Sequence, residues 1–153
     1  MYNYCVIVIY TSPGCASCRK VKNYLKNNNL PFKEKNIFNT LLNDKEIKYL
    51  ISRTDNGTDD IISLRSKIIQ KQKIDFNKMK LSETINFILN NPTVLRRPII
   101  VNDQEMQVGY NAYDITSFIP RARELALANC NNKSCPTYQT CENKPINNDI
   151  IEL

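Results

Sequence analysis

The sequence predicts an α/β fold, a mixed sheet interrupted by an inserted helical block. Three observations carry this. Residues 4–10 are apolar throughout, as in a strand covered on both faces. A helical stretch and a second strand-like run follow it, which makes a βαβ unit. After a long stretch with helical spacing, two short apolar runs at 98–101 and 106–108 return the chain to a sheet.

Taken in order, the first strand is broken by Thr11-Ser12-Pro13-Gly14. A helix over 16–28 places Val21, Tyr24 and Leu25 on one face, and Asn27-Asn28-Asn29 ends it. Residues 32–37 alternate as a second strand. Two strands joined through one helix pair in parallel with a right-handed connection. Residues 45–51 carry Ile47, Leu50 and Ile51 at helical spacing. Asp55-Asn56-Gly57-Thr58 is a turn; Thr58 or Asp59 then caps a helix holding Ile61, Ile62, Leu64, Ile68 and Ile69. Ser82 starts a further helix that buries Ile85, Ile88 and Leu89 and stops before Pro92. Asn102-Asp103-Gln104 joins the two late runs as a hairpin. Asn111 caps the next helix, with Asp114 three residues on, and Pro120 opens a last short helix through Asn129. The order is that of a thioredoxin-like mixed sheet with a helical block at about 43–91. The expected organisation is a domain over 1–129 and a loosely ordered, cysteine-containing tail over 130–153.

A chain of 153 residues with 42% hydrophobic content can bury a substantial core. The net charge of +6 favours acidic partners, among them nucleic acid and acidic protein patches. The excess lies in residues 1–120, because Arg121, Arg123, Lys133 and Lys144 balance Glu124, Glu142, Asp149 and Glu152. Arg65, Lys67, Lys71 and Lys73 form an acid-free cluster, and Arg96-Arg97 a second. There are no histidines, which removes the commonest general base and the commonest metal ligand together. No apolar run is long enough to span a membrane and no leader pattern stands at the start, so a cytoplasmic location is expected. Six cysteines there point to redox-active or metal-binding thiols rather than three structural disulfides.

Cys15-Ala16-Ser17-Cys18 stands where a strand gives way to a helix. Cys15 falls at the helix N-terminus, where free N–H groups and the macrodipole favour a thiolate, and Arg19 and Lys20 add positive charge. A lowered thiol pKa and a reactive Cys15 are expected. Cys18 lies on the same face, close enough for a local disulfide. The alternatives are half of a zinc site or two unrelated thiols. Pro98 stands before a strand opposite the pair, where a thioredoxin-like fold places a cis proline that brings Arg97 close to the thiols. Arg97 would then hold a thiolate or an anion; the alternative is a surface charge.

These segments together resemble the Spx family, the regulatory branch of the arsenate-reductase-like proteins. The resemblance rests on 10–20, which ends in Cys15-Ala16-Ser17-Cys18-Arg19-Lys20, and on Asn36-Ile37-Phe38. It continues through Gly57-Thr58-Asp59-Asp60-Ile61-Ile62-Ser63, Arg65-Ser66-Lys67, Leu95-Arg96-Arg97-Pro98-Ile99-Ile100 and Gln107-Val108-Gly109-Tyr110-Asn111. It implies a monomeric regulator that binds the C-terminal domain of the RNA polymerase α subunit and alters promoter use under thiol stress. It implies a Cys15-Cys18 dithiol/disulfide switch with Arg97 associated with the oxidised form, and Gly57 at the polymerase contact. It also implies Arg65 and Lys67, on the helix after Gly57, near promoter DNA, which is met only within the polymerase complex. No cofactor, metal or membrane is implied. A Clp-type protease and its adaptor are further implied partners.

The competing reading is an enzyme: an arsenate reductase, or a general thiol oxidoreductase, using Cys15 as nucleophile. Arg65 and Arg97 match two of the three reductase arginines, but Tyr110 stands at the third, and a neutral phenol cannot replace a guanidinium against a doubly charged oxyanion. The chain departs from the family at both ends. Cys5 lies in the first strand, expected buried and inert. Asn129 is followed by 24 residues that hold Cys130, Cys135 and Cys141, whose spacing does not match a standard zinc site.

Overall fold

The protein is described here from a computed structural model, over residues 6–119. Cys5, the expected helix over 120–129 and the three tail cysteines lie outside the described residues.

β1 (Ile7–Thr11) leads through a tight loop into α1 (Ala16–Asn27), and β2 (Phe32–Asn36) returns beside β1. Four helices follow: α2 (Asp44–Ser52), α3 (Thr58–Ile61), α4 (Lys67–Gln72) and α5 (Leu81–Asn90). Single 3-10 turns stand at Phe76–Lys78 and Pro92–Val94. β3 (Ile99–Val101) and β4 (Met106–Val108) form the hairpin, and Asp114–Phe118 is a final 3-10 segment. The sheet order is β2-β1-β3-β4, with β1 parallel to β2 and antiparallel to β3. This is the mixed α/β sheet that the sequence predicts.

Strand periodicity explains the two cores. Successive side chains point to opposite faces. Ile7 and Ile9 of β1, with Ile100 of β3, pack on Val21, Leu25 and Leu30 and on Ile115 and Phe118. Tyr10, Ile99 and Val101 face the other way, onto Ile47, Leu50, Ile61, Ile85 and Ile88 of the helical block. That double burial is why 7–10 reads as a continuous apolar run; Val6, expected in the strand, precedes it and is exposed. β2 is an edge, and its Lys33 and Glu34 are exposed. Leu50 is fully buried; Leu50→Ala is expected to cost ~2–5 kcal/mol, read as a lower urea midpoint at unchanged slope.

Tyr10 ties the sheet to the helical block. Its hydroxyl donates to Glu46 of α2 at 2.9 Å, and Lys35 of β2 pairs with the same carboxylate. Burial, reinforced by that hydrogen bond, raises the Tyr10 pKa above its ordinary value.

Two expected helices are different in the structure. The helix predicted to hold Ile61 through Ile69 is broken into α3 and α4. Ile62 leaves the helix to form an antiparallel bridge with Leu95, and Leu64 between the two pieces is exposed. Arg96 N–H donates to Ile61 O at 2.7 Å, and Ser63 N–H to Val94 O at 2.8 Å. These long-range backbone bonds outcompete continuation of the helix. Neither Thr58 nor Asp59 caps α3: Gly57 occupies the cap position, and the Asp60 carboxylate accepts from Asp55 and Asn56 N–H. Those bonds, Asn56 first, hold Asp60 below the usual carboxylate range. Asn111 does accept from Tyr113 and Asp114 N–H, but the element it opens is 3-10 rather than α.

Candidate functional site

Cys15 sits at the N-cap of α1 with extended backbone, at the point where the loop from β1 turns into the helix. Its sulfur accepts the Cys18 N–H at 3.2 Å, so a side chain satisfies one of the free donors of the first turn. The first turn holds no acid, and Arg19 and Lys20 are exposed beside it. Cys15 and Cys18 are joined in a disulfide, with Cα atoms 5.2 Å apart. Cys18 is 2% exposed and packs beneath the helix, while Cys15 is only half-buried. A thiol arriving from solvent therefore meets Cys15 first.

The Arg97-Pro98 peptide bond is cis, and Pro98 O accepts from Gly109 N–H at 2.7 Å. An open cleft of about 550 Å³ lies in front of Cys15. The Ser12-Pro13-Gly14 loop, Phe38, Ser63, Leu95, Arg96 and Arg97 line it. The structure thus brings Cys15 and Arg97 to one cleft, with Cys18 directly behind. Arg97 is half-buried, and its guanidinium carbon lies 6.0 Å from the centroid of the Phe38 ring. Arg96 is tied elsewhere: its Nε donates to Ile62 O at 3.0 Å.

The other expected site residues lie outside this cleft. Gly57 precedes α3 with φ +66° and ψ −131°, and among the described residues nothing beyond its chain neighbours lies within 4 Å of the position a Cβ would take. Arg65 is exposed in the connection between α3 and α4, not on a helix as expected, and Lys67 opens α4. Neither side chain makes a hydrogen bond or ion pair with a described residue. Tyr110, where the reductase pattern calls for its third arginine, does not line the cleft; Lys20 Nζ stands 5.7 Å from its ring centroid.

Sequence reasoning gave Phe38 no role. Its signal is an exposed aromatic in a polar turn, one residue after a buried isoleucine. Ser12 and Ser63 carry no sequence signal of their own for this cleft, because small polar residues in loops show no periodic pattern.

The ArsC family model matches residues 10–118 of the chain. The Spx global transcriptional regulator of Enterococcus faecalis is 42% identical over 123 residues, covering 80% of this chain and 93% of that one. The protein of the same name from Streptococcus pneumoniae is 46% identical over 117 residues, covering 76% and 88%. Among solved structures, an arsenate reductase from Vibrio cholerae superposes with a TM-score of 0.64 at 16% identity, covering 76% of this chain and 97% of that one. That likeness is one of fold.

Proposed function

The chain belongs to the ArsC family and, within it, to the Spx transcriptional regulators, and from that premise we propose that it binds the C-terminal domain of the RNA polymerase α subunit and changes promoter use when Cys15 and Cys18 are oxidised. The observation that carries the switch is the disulfide itself, closed across the first turn of α1 at the floor of a cleft shared with Arg97. Reduction by a small thiol balances simply. A thiolate attacks the half-buried Cys15 sulfur and the Cys15–Cys18 bond breaks. Cys18 leaves as thiolate, and a second thiolate releases Cys15 as the mixed disulfide exchanges. In the reverse sense an oxidant of the diamide class takes two electrons, and two protons leave the thiols. The positive end of α1, Arg19, Lys20 and Arg97 all favour the thiolate forms on which both directions depend.

Gly57 is proposed as the point of closest approach to the polymerase domain, since it offers backbone without side chain in open space. Arg65 and Lys67 are proposed to meet promoter phosphates once the protein is held on the polymerase, adding affinity without base reading. No helix among the described residues is long and apolar enough to cross a membrane, which agrees with a cytoplasmic site of action.

The enzyme reading loses support at the cleft. Of the arginines that match the reductase pattern, Arg97 lines it; Arg65 does not, and Tyr110 stands against Lys20. No arsenate turnover above background is expected with glutathione or thioredoxin, and Cys15-dependent turnover would reverse this conclusion.

The deciding experiment measures binding to the isolated α C-terminal domain, and transcription from thiol-stress promoters, with oxidised and reduced protein. Oxidation is expected to raise promoter activation. Peptide mass mapping after diamide treatment should find the Cys15–Cys18 link; a disulfide found only among Cys130, Cys135 and Cys141 would reject the switch.

A further inference from the structure

We infer that Phe38 is a positioning residue for Arg97, an aromatic platform that keeps the guanidinium on the wall of the cleft where Cys15 opens. The inference rests on the thiol switch proposed above. Three observations lead to it. Phe38 is 51% exposed although it is large and apolar, and it lines the cleft together with Cys15 and Arg97. Arg97 forms no hydrogen bond or ion pair with any described residue; the Phe38 ring is its partner.

The third observation is that Phe38 stands on a fixed turn. Asn36 Oδ1 accepts the Phe38 N–H at 3.0 Å, and Asn36 O accepts from Asn39 N–H at 3.1 Å and from Thr40 N–H at 2.8 Å. The next anchor is Ile37, buried, whose N–H donates to Thr11 O at 3.0 Å. Thr11 ends β1, and the loop that carries Cys15 begins there. The ring and the sulfur are therefore placed by the same strand end, on the β1 and β2 side, while Arg97 enters from the segment before β3.

Arg97 stabilises a Cys15 thiolate only during the time it spends in the cleft. A long flexible side chain without a partner spends much of its time away from the cleft, in water. The negative face of the ring opposes this, and a cation–π contact at a half-exposed site shifts such a population by about two- to five-fold. Phe38 thereby sets how strongly Arg97 acts on the thiol without touching the sulfur itself.

The test follows the pH dependence of iodoacetamide alkylation at Cys15 in the reduced full chain, read by peptide mass mapping so that the other thiols do not interfere. Arg97→Gln is expected to lower the Cys15 acid dissociation constant by about tenfold or more. Phe38→Leu, which keeps an apolar side chain on an exposed turn, is expected to lower it about two- to five-fold, and Phe38→Tyr to restore it. In the Arg97→Gln background, Phe38→Leu is expected to change nothing. A Phe38→Leu effect that persists in that background overturns the inference, because the ring would then act without Arg97. So does a null Phe38→Leu result beside a clear Arg97→Gln effect, which leaves the switch intact. If Arg97→Gln itself leaves Cys15 unmoved, the proposed action of Arg97 fails and the inference falls with it.

Discussion

Gly57→Arg is expected to abolish capture by the RNA polymerase α C-terminal domain while the protein remains folded. The two halves of this expectation have separate causes. Beyond the glycine and its two chain neighbours, no heavy atom of a described residue lies within 4 Å of the position a Cβ would occupy, so the new side chain does not meet the core. The backbone at φ +66° and ψ −131° is a glycine conformation, and holding an arginine there costs about 1–3 kcal/mol of local strain. The two-sided core of the molecule is untouched by it. On the outer surface the same change adds a long cation ahead of α3, whose first turn carries Asp59 and Asp60. A docking partner that uses the bare backbone at Gly57 would meet that side chain first. Pull-down with the purified domain, alongside thermal unfolding, measures both halves. Capture at the wild-type level would remove Gly57 from the contact surface.

Cys15→Ser is expected to erase the dependence on oxidation. With a hydroxyl at position 15 no sulfur remains for Cys18 to join, and the N-cap is kept, because serine oxygen accepts the Cys18 N–H as well as sulfur does. Cys15 is also the less demanding position to change, since Cys18 is buried and a hydroxyl there would need a partner. Diamide treatment of Cys15→Ser should leave promoter activation at the level of the reduced wild type. A response to diamide of wild-type size would place the sensor elsewhere in the chain.

The parts of the fold that were legible are those written in local pattern. The apolar first strand, its break at Pro13-Gly14, the helix over α1 and the hairpin at Asn102 are each set by neighbours in sequence. Asn102 Oδ1 accepts from Gln104 and Glu105 N–H within that turn. Cys15 at a helix start, and Pro98 before β3, were legible because their positions follow from the element order; the cis bond at Pro98 came only with the likeness to a thioredoxin-like fold. The division of the helix after Gly57 was not. Ile61 and Ile62 fit a helical stripe, and the demand that pulls Ile62 out of it comes from Leu95, far along the chain. The pairing of Arg97 with Phe38 was hidden for the same reason: it joins a turn after β2 to the segment before β3 across a cleft that exists only once the sheet is assembled. Arg65 reads as a helical cation by spacing, and becomes a linker residue through that same division.

The short ladder between 61–63 and 94–96 has a practical consequence for anyone wishing to build chimaeras. The helical insertion is not a cassette. Cutting it out at about 43 and 91, which leaves 94–96 in place, would strand Val94 O, Arg96 N–H and the Leu95 pairing against whatever replaced Ile61, Ile62 and Ser63. A transplant from a relative should therefore carry both runs together, and one that exchanges only the helices is expected to express poorly even when every buried isoleucine has been preserved.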